Sequence, residues 1–421
     1  MSRQKDIFVY IDWAEKDNPV YMGIIHCELI RGKETLSFES NEDWLKYPEF
    51  QFIDPDLGQF KGHQYLNDNK SNFGLILDSS PDRWGRLLIR RREAMMAKSE
   101  NRPVQTLTDT DYLLGVYDGN RMGALRFKTE LSGKFLDNKR EMATPPWSTI
   151  RELEYASLQL ERADATEDPE YNKWLRMLIA PGSSLGGARP KSNVVDNNRS
   201  LWIAKFPSNL DTKDMGAWEA VTADMASACG IEVAPWKCEK LTGAQHTFFA
   251  KRFDRTSEGK RLYFASAMTL LGYSDGADES QGVSYLELAG FITSRGCDVE
   301  YNLEQLWRRI VFNICVSNCD DHLRNHGFIL TTKGWKLSPA YDVNPDEFGN
   351  GLKLNIDDND NSLDFDLALR VAKYFGLPPT KANDILSSIL SIIKKWQQVA
   401  SKYGISRSEQ EMMRSAFRIM K

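Results

Sequence analysis

At 421 residues the chain exceeds what one hydrophobic core usually organises, so two or more cooperating units are expected. A composition of 41% hydrophobic and 27% charged residues with 11 Trp excludes wholesale disorder, and a formal net charge of -5 excludes the global basic field that draws proteins onto nucleic-acid backbones. No apolar run approaches the roughly 20 residues of a membrane span, so no membrane partner is expected.

The chain begins Met1 to Asp6 and runs straight into the strand-like IFVYIDW, without the apolar core of a secretory signal. Cys27, Cys229, Cys238, Cys297, Cys315 and Cys319 are scattered among mostly apolar neighbours, which suits reduced, buried thiols; the two observations predict a cytoplasmic protein. From Ile7 to Glu39 the alternation in PVYMGIIHCELI and TLSFES reads as strand, turn, strand, with turn signals at Lys16 to Pro19 and at Arg31-Gly32. A helix is predicted near Ser80-Pro81-Asp82, with Ser80 as N-cap and Pro81 at the first helical position. Its cluster RWGRLLIRRR (83–92) reads as a solvated helix face. The polar stretch Leu131 to Trp147, closed by Pro145-Pro146, marks a domain boundary, so residues 1–145 form a β-rich N-terminal subdomain.

Helices follow over 151–163 and 168–179, then a Gly/Ser-rich turn and two strands that reach Lys205. Glu219 to Cys229 is an amphipathic helix and HTFFAKRFDR, from His246, a strand. Residues 146–255 are one expected region. Residues 256–421 are the next, mainly helical from Ala267 apart from a hairpin between Phe328 and Leu337.

That hairpin organises the candidate chemistry. With Lys333-Gly334 as its two-residue turn, the register places Asn325 opposite Asp342. The preceding helix, LEQLWRRIVFNICVSN, ends so as to deliver Asp320, Asp321 and His322 into the same loop as Asn325. An Asp and an Asn presented together offer the hard oxygen ligands that a nucleotide-bound Mg²⁺ takes, and a further carboxylate can orient or deprotonate a hydroxyl nucleophile. Lys205, in the apolar strand LWIAKFP, is an awkward charge unless it meets an anion. Upstream, SSLGGARPK (183–191) supplies small residues whose backbone amides can face phosphate oxygens, and Glu219 is a candidate partner for Lys205.

Taken in order, SSLGGARPK, IAKFP, GAWEA, KRFDR, NCDDHLRNHGFIL and LSPAYDVNP resemble the HipA-type serine/threonine kinases, toxins of type II toxin-antitoxin modules. The resemblance covers residues 150–400, and extends more loosely to the stretch from Asp78 to Arg86 and to GVYDGNRMGALRF. It implies an α+β, two-lobed protein-kinase-like fold, with a β-rich lobe and a helical lobe. It implies ATP and Mg²⁺ as cofactors, Asp320 as catalytic base, and Asn325 and Asp342 as metal ligands. Lys205, His322 and the loop residues Ser184, Gly186, Gly187 and Ala188 would bind the nucleotide, although His322 taken alone reads as a structural hydrogen-bonder that shapes the loop. Arg252 and Phe253 would form the adenine hinge, where Lys251 stands in place of the usual Glu. Ser184 matches a loop serine that relatives autophosphorylate, although Ser183 adjoins it; a charge added there would repel ATP. The implied substrate is a translation-related protein, with aminoacyl-tRNA synthetases as known cases. The implied partner is a helix-turn-helix antitoxin that carries the complex onto operator DNA.

Other readings share these residues. A small-molecule kinase would use the same site, and a catalytically inactive repressor partner would keep it without turnover. The spacings of Cys315, Cys319, His322 and His326 invite zinc, but two of the four lie on an apolar helix face and the spacer is short for a finger. Asp254 and Arg255 read as a structural ion pair or a turn.

Overall fold

The computed structural model describes residues 4–419 apart from 31, 51, 67–69, 71, 137–143 and 180–186. Ser183, Ser184 and Gly186 of the glycine loop therefore lie outside the described residues, as does most of the second half of the polar stretch 131–147. The chain divides into two compact units, Met1–Leu210 with Asp254–Ala265, and Asp211–Phe253 with Ser266–Lys421.

The first unit opens on a five-stranded antiparallel sheet of β1 (Gln4–Ile11), β2 (Val20–Ile30), β3 (Lys33–Ser40), β4 (His63–Tyr65) and β5 (Leu125–Lys128), in the order β4-β3-β2-β1-β5. The period of two in β1 buries Ile7, Val9 and Ile11 on one face. Its helices are α1 (Gly74–Asp78), α2 (Arg83–Ser99), α3 (Asp109–Leu114), α4 (Ile150–Leu160) and α5 (Tyr171–Ile179), followed by the hairpin of β6 (Lys191–Val195) and β7 (Leu201–Lys205). Helix α2 starts later than expected. Asp82, not Ser80, is its N-cap, accepting from the Gly85 amide at 2.7 Å, while the Ser80 hydroxyl donates to the Ile76 carbonyl and closes the preceding turn.

A buried polar network explains two of the N-terminal motifs. Asp254 accepts from the Gly123 amide at 2.8 Å and pairs with Arg255 at 2.5 Å, the structural ion pair expected of these two residues. Arg255 donates to the Arg121 carbonyl, Arg261 to the Asp118 carbonyl, and Arg126 reaches the Asp118 carboxylate at 2.7 Å. GVYDGNRMGALRF is thus a structural joint between two distant stretches of chain.

The second unit contains α6 (Met215–Ala228) and the hairpin of β8 (Trp236–Lys240) and β9 (His246–Lys251). Glu219 lies in the second turn of α6 rather than at its start. The chain returns to this unit at Ser266, the last residue of β10 (Phe264–Ser266), and continues as α7 (Ala267–Leu270), α8 (Tyr285–Arg295) and α9 (Val299–Val316). The hairpin β11 (Gly327–Thr331) and β12 (Gly334–Leu337) precedes α10 (Phe365–Val371), α11 (Pro379–Ile393), α12 (Trp396–Lys402) and α13 (Arg407–Met412). Helix α9 is the core element: Leu306, Trp307, Ile310, Val311 and Ile314 are fully buried, and the Trp307 indole donates to the Ala368 carbonyl of α10. Trp218 of α6, Trp396 and Phe417 form a second aromatic cluster.

The hairpin register differs from the expected one. Thr331 pairs with Gly334 and Phe328 with Leu337, so the turn is Thr332-Lys333 and the ladder does not set Asn325 opposite Asp342. Gly334 was the misleading signal. A Cβ on it would lie 2.8 Å from the Arg295 carbonyl, where the end of α8 passes close by and the Cys297 amide donates to the Trp335 carbonyl. That close approach requires glycine, as does the φ of 126° that Gly334 adopts just past the turn.

Candidate active site

The foundation in the second unit is the C-terminal end of α9. Ser317 adopts a left-handed conformation (φ 49°) that stops the helix, and the Asn318 amide turns back to donate to the Asn313 carbonyl at 2.9 Å. Asn313, in the last turn, then reaches forward. Its Nδ2 donates to Asp321 at 2.8 Å and its Oδ1 accepts from Asn318 Nδ2 at 3.1 Å.

Asp321 is buried and carries three bonds on one oxygen, from Asn313, from the Tyr285 hydroxyl at 2.5 Å and from His326 Nε2 at 2.7 Å. Burial pushes its carboxyl up, but the charge and hydrogen bond of His326 and the Tyr285 hydroxyl outweigh that and hold it below the ordinary carboxylate range. The same burial and the adjacent Asp321 push the Tyr285 hydroxyl well up. Asp321 is therefore committed to holding the loop.

Asp320, one residue earlier, is exposed. Its backbone carbonyl accepts from the His322 amide and from Asn325 Nδ2, both at 2.9 Å, which fixes the loop while its carboxylate remains at the surface. Asn325 is buried, and with its Nδ2 so engaged its Oδ1 is the atom left to accept or coordinate. His322 shapes the turn through its backbone, accepting from the Asn325 amide at 2.8 Å; its ring Nδ1 is buried without a partner.

Asp342 reaches this loop by a route other than the strand ladder. Tyr341 donates its hydroxyl to the Arg324 carbonyl at 2.6 Å, the Asn344 amide donates to Asn318 Oδ1 at 3.3 Å, and the Asp346 amide to the Ser317 carbonyl at 3.2 Å. The segment is further held by Arg309, whose Nη2 donates to the Ser338 carbonyl, and by Thr222, whose hydroxyl donates to the Val343 carbonyl at 2.6 Å. Asp342 stands between these ties at φ 58°, a left-handed conformation that Asp and Asn tolerate better than most residues. The structure thus brings Asp320, His322, Asn325 and the Asp342 segment into one tied cluster. The carboxamide of Asn325 and the carboxylates of Asp320 and Asp342 are of the oxygen-donor type that suits Mg²⁺.

Arg252 and Phe253 lie just past the end of β9. Phe253 packs its ring 5.5 Å from that of Tyr341, next to Asp342, and Arg252 is buried.

In the first unit, Lys205 is the last residue of β7 and sits directly opposite Lys191. Like charges so placed repel unless neutralised. Lys191 is neutralised: its ammonium pairs at 3.0 Å with Asp82, both side chains nearly inaccessible, and its carbonyl accepts from the Trp84 indole at 3.0 Å. Gly187 (φ 103°) and Ala188 close the described end of the glycine loop, and a Cβ on Gly187 would lie 3.3 Å from Lys191 Nζ. The final lysine of SSLGGARPK is thereby anchored to the start of α2, which explains the Asp82-Arg83-Trp84 part of the earlier motif.

Sequence reasoning missed Tyr285, Asn313, His326 and Asp82 as supports of these segments; the doubled acid in CDDH was the one signal present, and only burial separates its members. The four-residue zinc reading is not met. Cys315 is fully buried with its thiol pushed up by burial, His326 Nε2 is committed to Asp321, and among the described residues these four form no metal-ligating group.

Comparison with known proteins places these features. The family described as the HipA-like C-terminal domain matches residues 183–396, just over half of the chain. A curated protein of Haemophilus influenzae named "Putative kinase" is 27% identical over 179 residues, 38% of this chain and 52% of that protein, so the chain spans about half the length of the curated relative it matches. Among solved structures, the complex of the Shewanella oneidensis MR-1 toxin-antitoxin proteins HipA and HipB with operator DNA contains a similar chain. The likeness has a TM-score of 0.65 and covers 97% of this chain and 94% of that one at 16% identity, which shows the fold. The chain belongs to the family of the HipA-like C-terminal domain, and its fold is the α+β kinase-like fold that its motifs implied.

Proposed function

We propose that this protein is an ATP- and Mg²⁺-dependent serine/threonine protein kinase that acts as the toxin of a toxin-antitoxin module. The observation that carries the reading is the division of labour in the sequence Asp320-Asp321. One carboxylate is buried and spent on three donors, while its neighbour is exposed on a loop whose backbone is fixed. That is the arrangement needed to present a general base to an incoming hydroxyl.

In this mechanism Asp320 accepts the proton of a substrate serine or threonine. Asn325 Oδ1 and the Asp342 carboxylate hold Mg²⁺, which when bound neutralises charge on the phosphates. Lys205, Gly187 and Ala188, with Ser184 and Gly186 of the same loop, bind the phosphates, and the backbone near Arg252 and Phe253 takes the adenine. Asn313, Tyr285 and His326 act through Asp321 as positioning residues. Autophosphorylation at Ser184 or Ser183 would place negative charge in the phosphate loop and silence the enzyme.

The acceptor class we favour is a translation-related protein such as an aminoacyl-tRNA synthetase, in the cytoplasm. HipB and operator DNA accompany HipA in the Shewanella complex, which supports a helix-turn-helix antitoxin as partner here, with DNA engaged mainly through it. Among the described residues no helix is long and apolar enough to cross a membrane.

The test is expression with and without Asp320→Ala, followed by phosphoproteomics of the host and radiolabelled ATP turnover. Protein phosphorylation and growth arrest are expected from the parent chain, and a loss of ~10²–10⁴-fold in turnover from the variant. Equal phosphorylation by both chains would refute Asp320 as base. Turnover on metabolites alone would point to a small-molecule kinase, and none at all to a repressor partner.

A further inference from the structure

A second cluster of ligand-type side chains lies in the first unit, on its five-stranded sheet. His26 on β2, Glu39 on β3 and His63 on β4 each offer a ligating atom, and these atoms all lie within 4.8 Å of one another. The strand register produces the grouping, since Glu39 is the direct partner of His63 and His26 is the partner of both Asp6 and Ser37. The imidazole rings are 4.7 Å apart.

Both histidines have one ring nitrogen already tied. His26 Nδ1 bonds Asp6 Oδ1 at 2.8 Å, and His63 Nδ1 bonds Ser37 Oγ at 3.1 Å. This is how ligand histidines are usually held, with the rear nitrogen fixed by a carboxylate or hydroxyl so that the other presents a lone pair. His26 Nε2 then faces Glu39 Oε2 at 3.2 Å. Two acceptors do not approach that closely unless a cation or a second ring proton compensates them. Bonds of about 2.0–2.2 Å around a tetrahedral zinc put neighbouring ligand atoms roughly 3.3–3.6 Å apart, so the observed separation is close to one edge of such a site.

We propose that His26, Glu39 and His63 bind a divalent first-row transition ion, zinc foremost, with Asp6 and Ser37 as positioning residues. Two imidazoles and a carboxylate favour zinc over the hard Mg²⁺. His63 and much of Glu39 are exposed, so a fourth position remains for water. The ion would staple β4, a three-residue strand at the sheet edge, to β2 and β3.

The experiment uses the full chain without an affinity tag, titrated with Zn²⁺ in a calorimeter and followed by thermal unfolding, with Co²⁺ absorption as a probe of coordination. One Zn²⁺ per chain at this site is expected, with a raised unfolding temperature. His63→Ala and Glu39→Ala should each weaken binding by ~10²-fold and Asp6→Asn by ~10–10²-fold, all at exposed or half-exposed positions that leave folding intact. Zn²⁺ affinity unchanged in His63→Ala and Glu39→Ala, or no saturable binding by the parent chain, overturns the proposal. Neither result bears on kinase turnover, which uses other residues.

Discussion

Asp320 and Asp321 are neighbours of the same type, and their environments give them opposite consequences when replaced. Removing the exposed Asp320 carboxylate takes away no buried partner, so Asp320→Ala should leave thermal stability within about 0.5 kcal/mol of the parent. Asp321→Ala strands the Tyr285 hydroxyl, Asn313 Nδ2 and His326 Nε2 in the interior, and should cost about 3–5 kcal/mol in a denaturant titration. The pH dependence follows from the depressed Asp321 carboxyl. Its contribution is present above the ordinary Asp value of about 3.9 and is lost as pH falls through the lower folded-state value, so Asp321→Asn should flatten the acid limb of the stability profile. Asp320, Asn325 and Asp342 stood out as candidates in the sequence because hard oxygen donors in short loops are informative by type. Which acid of the pair was structural was not legible, because burial is a tertiary property. His26 and His63 were invisible for a related reason: far apart in the chain, they become neighbours only through strand pairing.

Among the elements, helices α4, α5 and α9 and the strand pair ending at Lys205 fall close to where periodicity and turn residues placed them. The β11-β12 hairpin was recognised but shifted, since a glycine signals permissiveness without saying whether a turn or a close neighbour demands it. Even so, the shift is by an even number of residues, so the buried face of the hairpin is the expected one. Gly216 of GAWEA poses the same question, and there too a close neighbour demands the glycine. It lies in the first turn of α6, and a Cβ there would fall 2.1 Å from the His246 carbonyl of β9. Gly216→Ala should therefore force α6 off the strand despite the better helix propensity of Ala, lowering stability by about 1–3 kcal/mol in thermal unfolding. A gain in stability would show the packing to be looser than it stands here.

At the scale of the molecule, the sequence predicted a kinase-like α+β protein, and the family match and the fold agree. What composition could not reveal is that the first unit is discontinuous, because nothing in the run 254–265 announces that it pairs with residues near 120. Asp254 caps the Gly123 amide and Arg261 pairs with Asp118, so a fragment ending at Leu210 lacks both. The fragment 1–210 should be unfolded or aggregated, with dispersed amide resonances absent; a well-dispersed spectrum would show the later residues to be dispensable.

The backbone passes between the units at 210–211, 253–254 and 265–266. A protease that nicks one of these junctions leaves each fragment still threaded into a unit it shares with the other. Denaturing gels of a singly clipped sample would resolve two bands, while native gels would show an undivided particle, and release would demand melting.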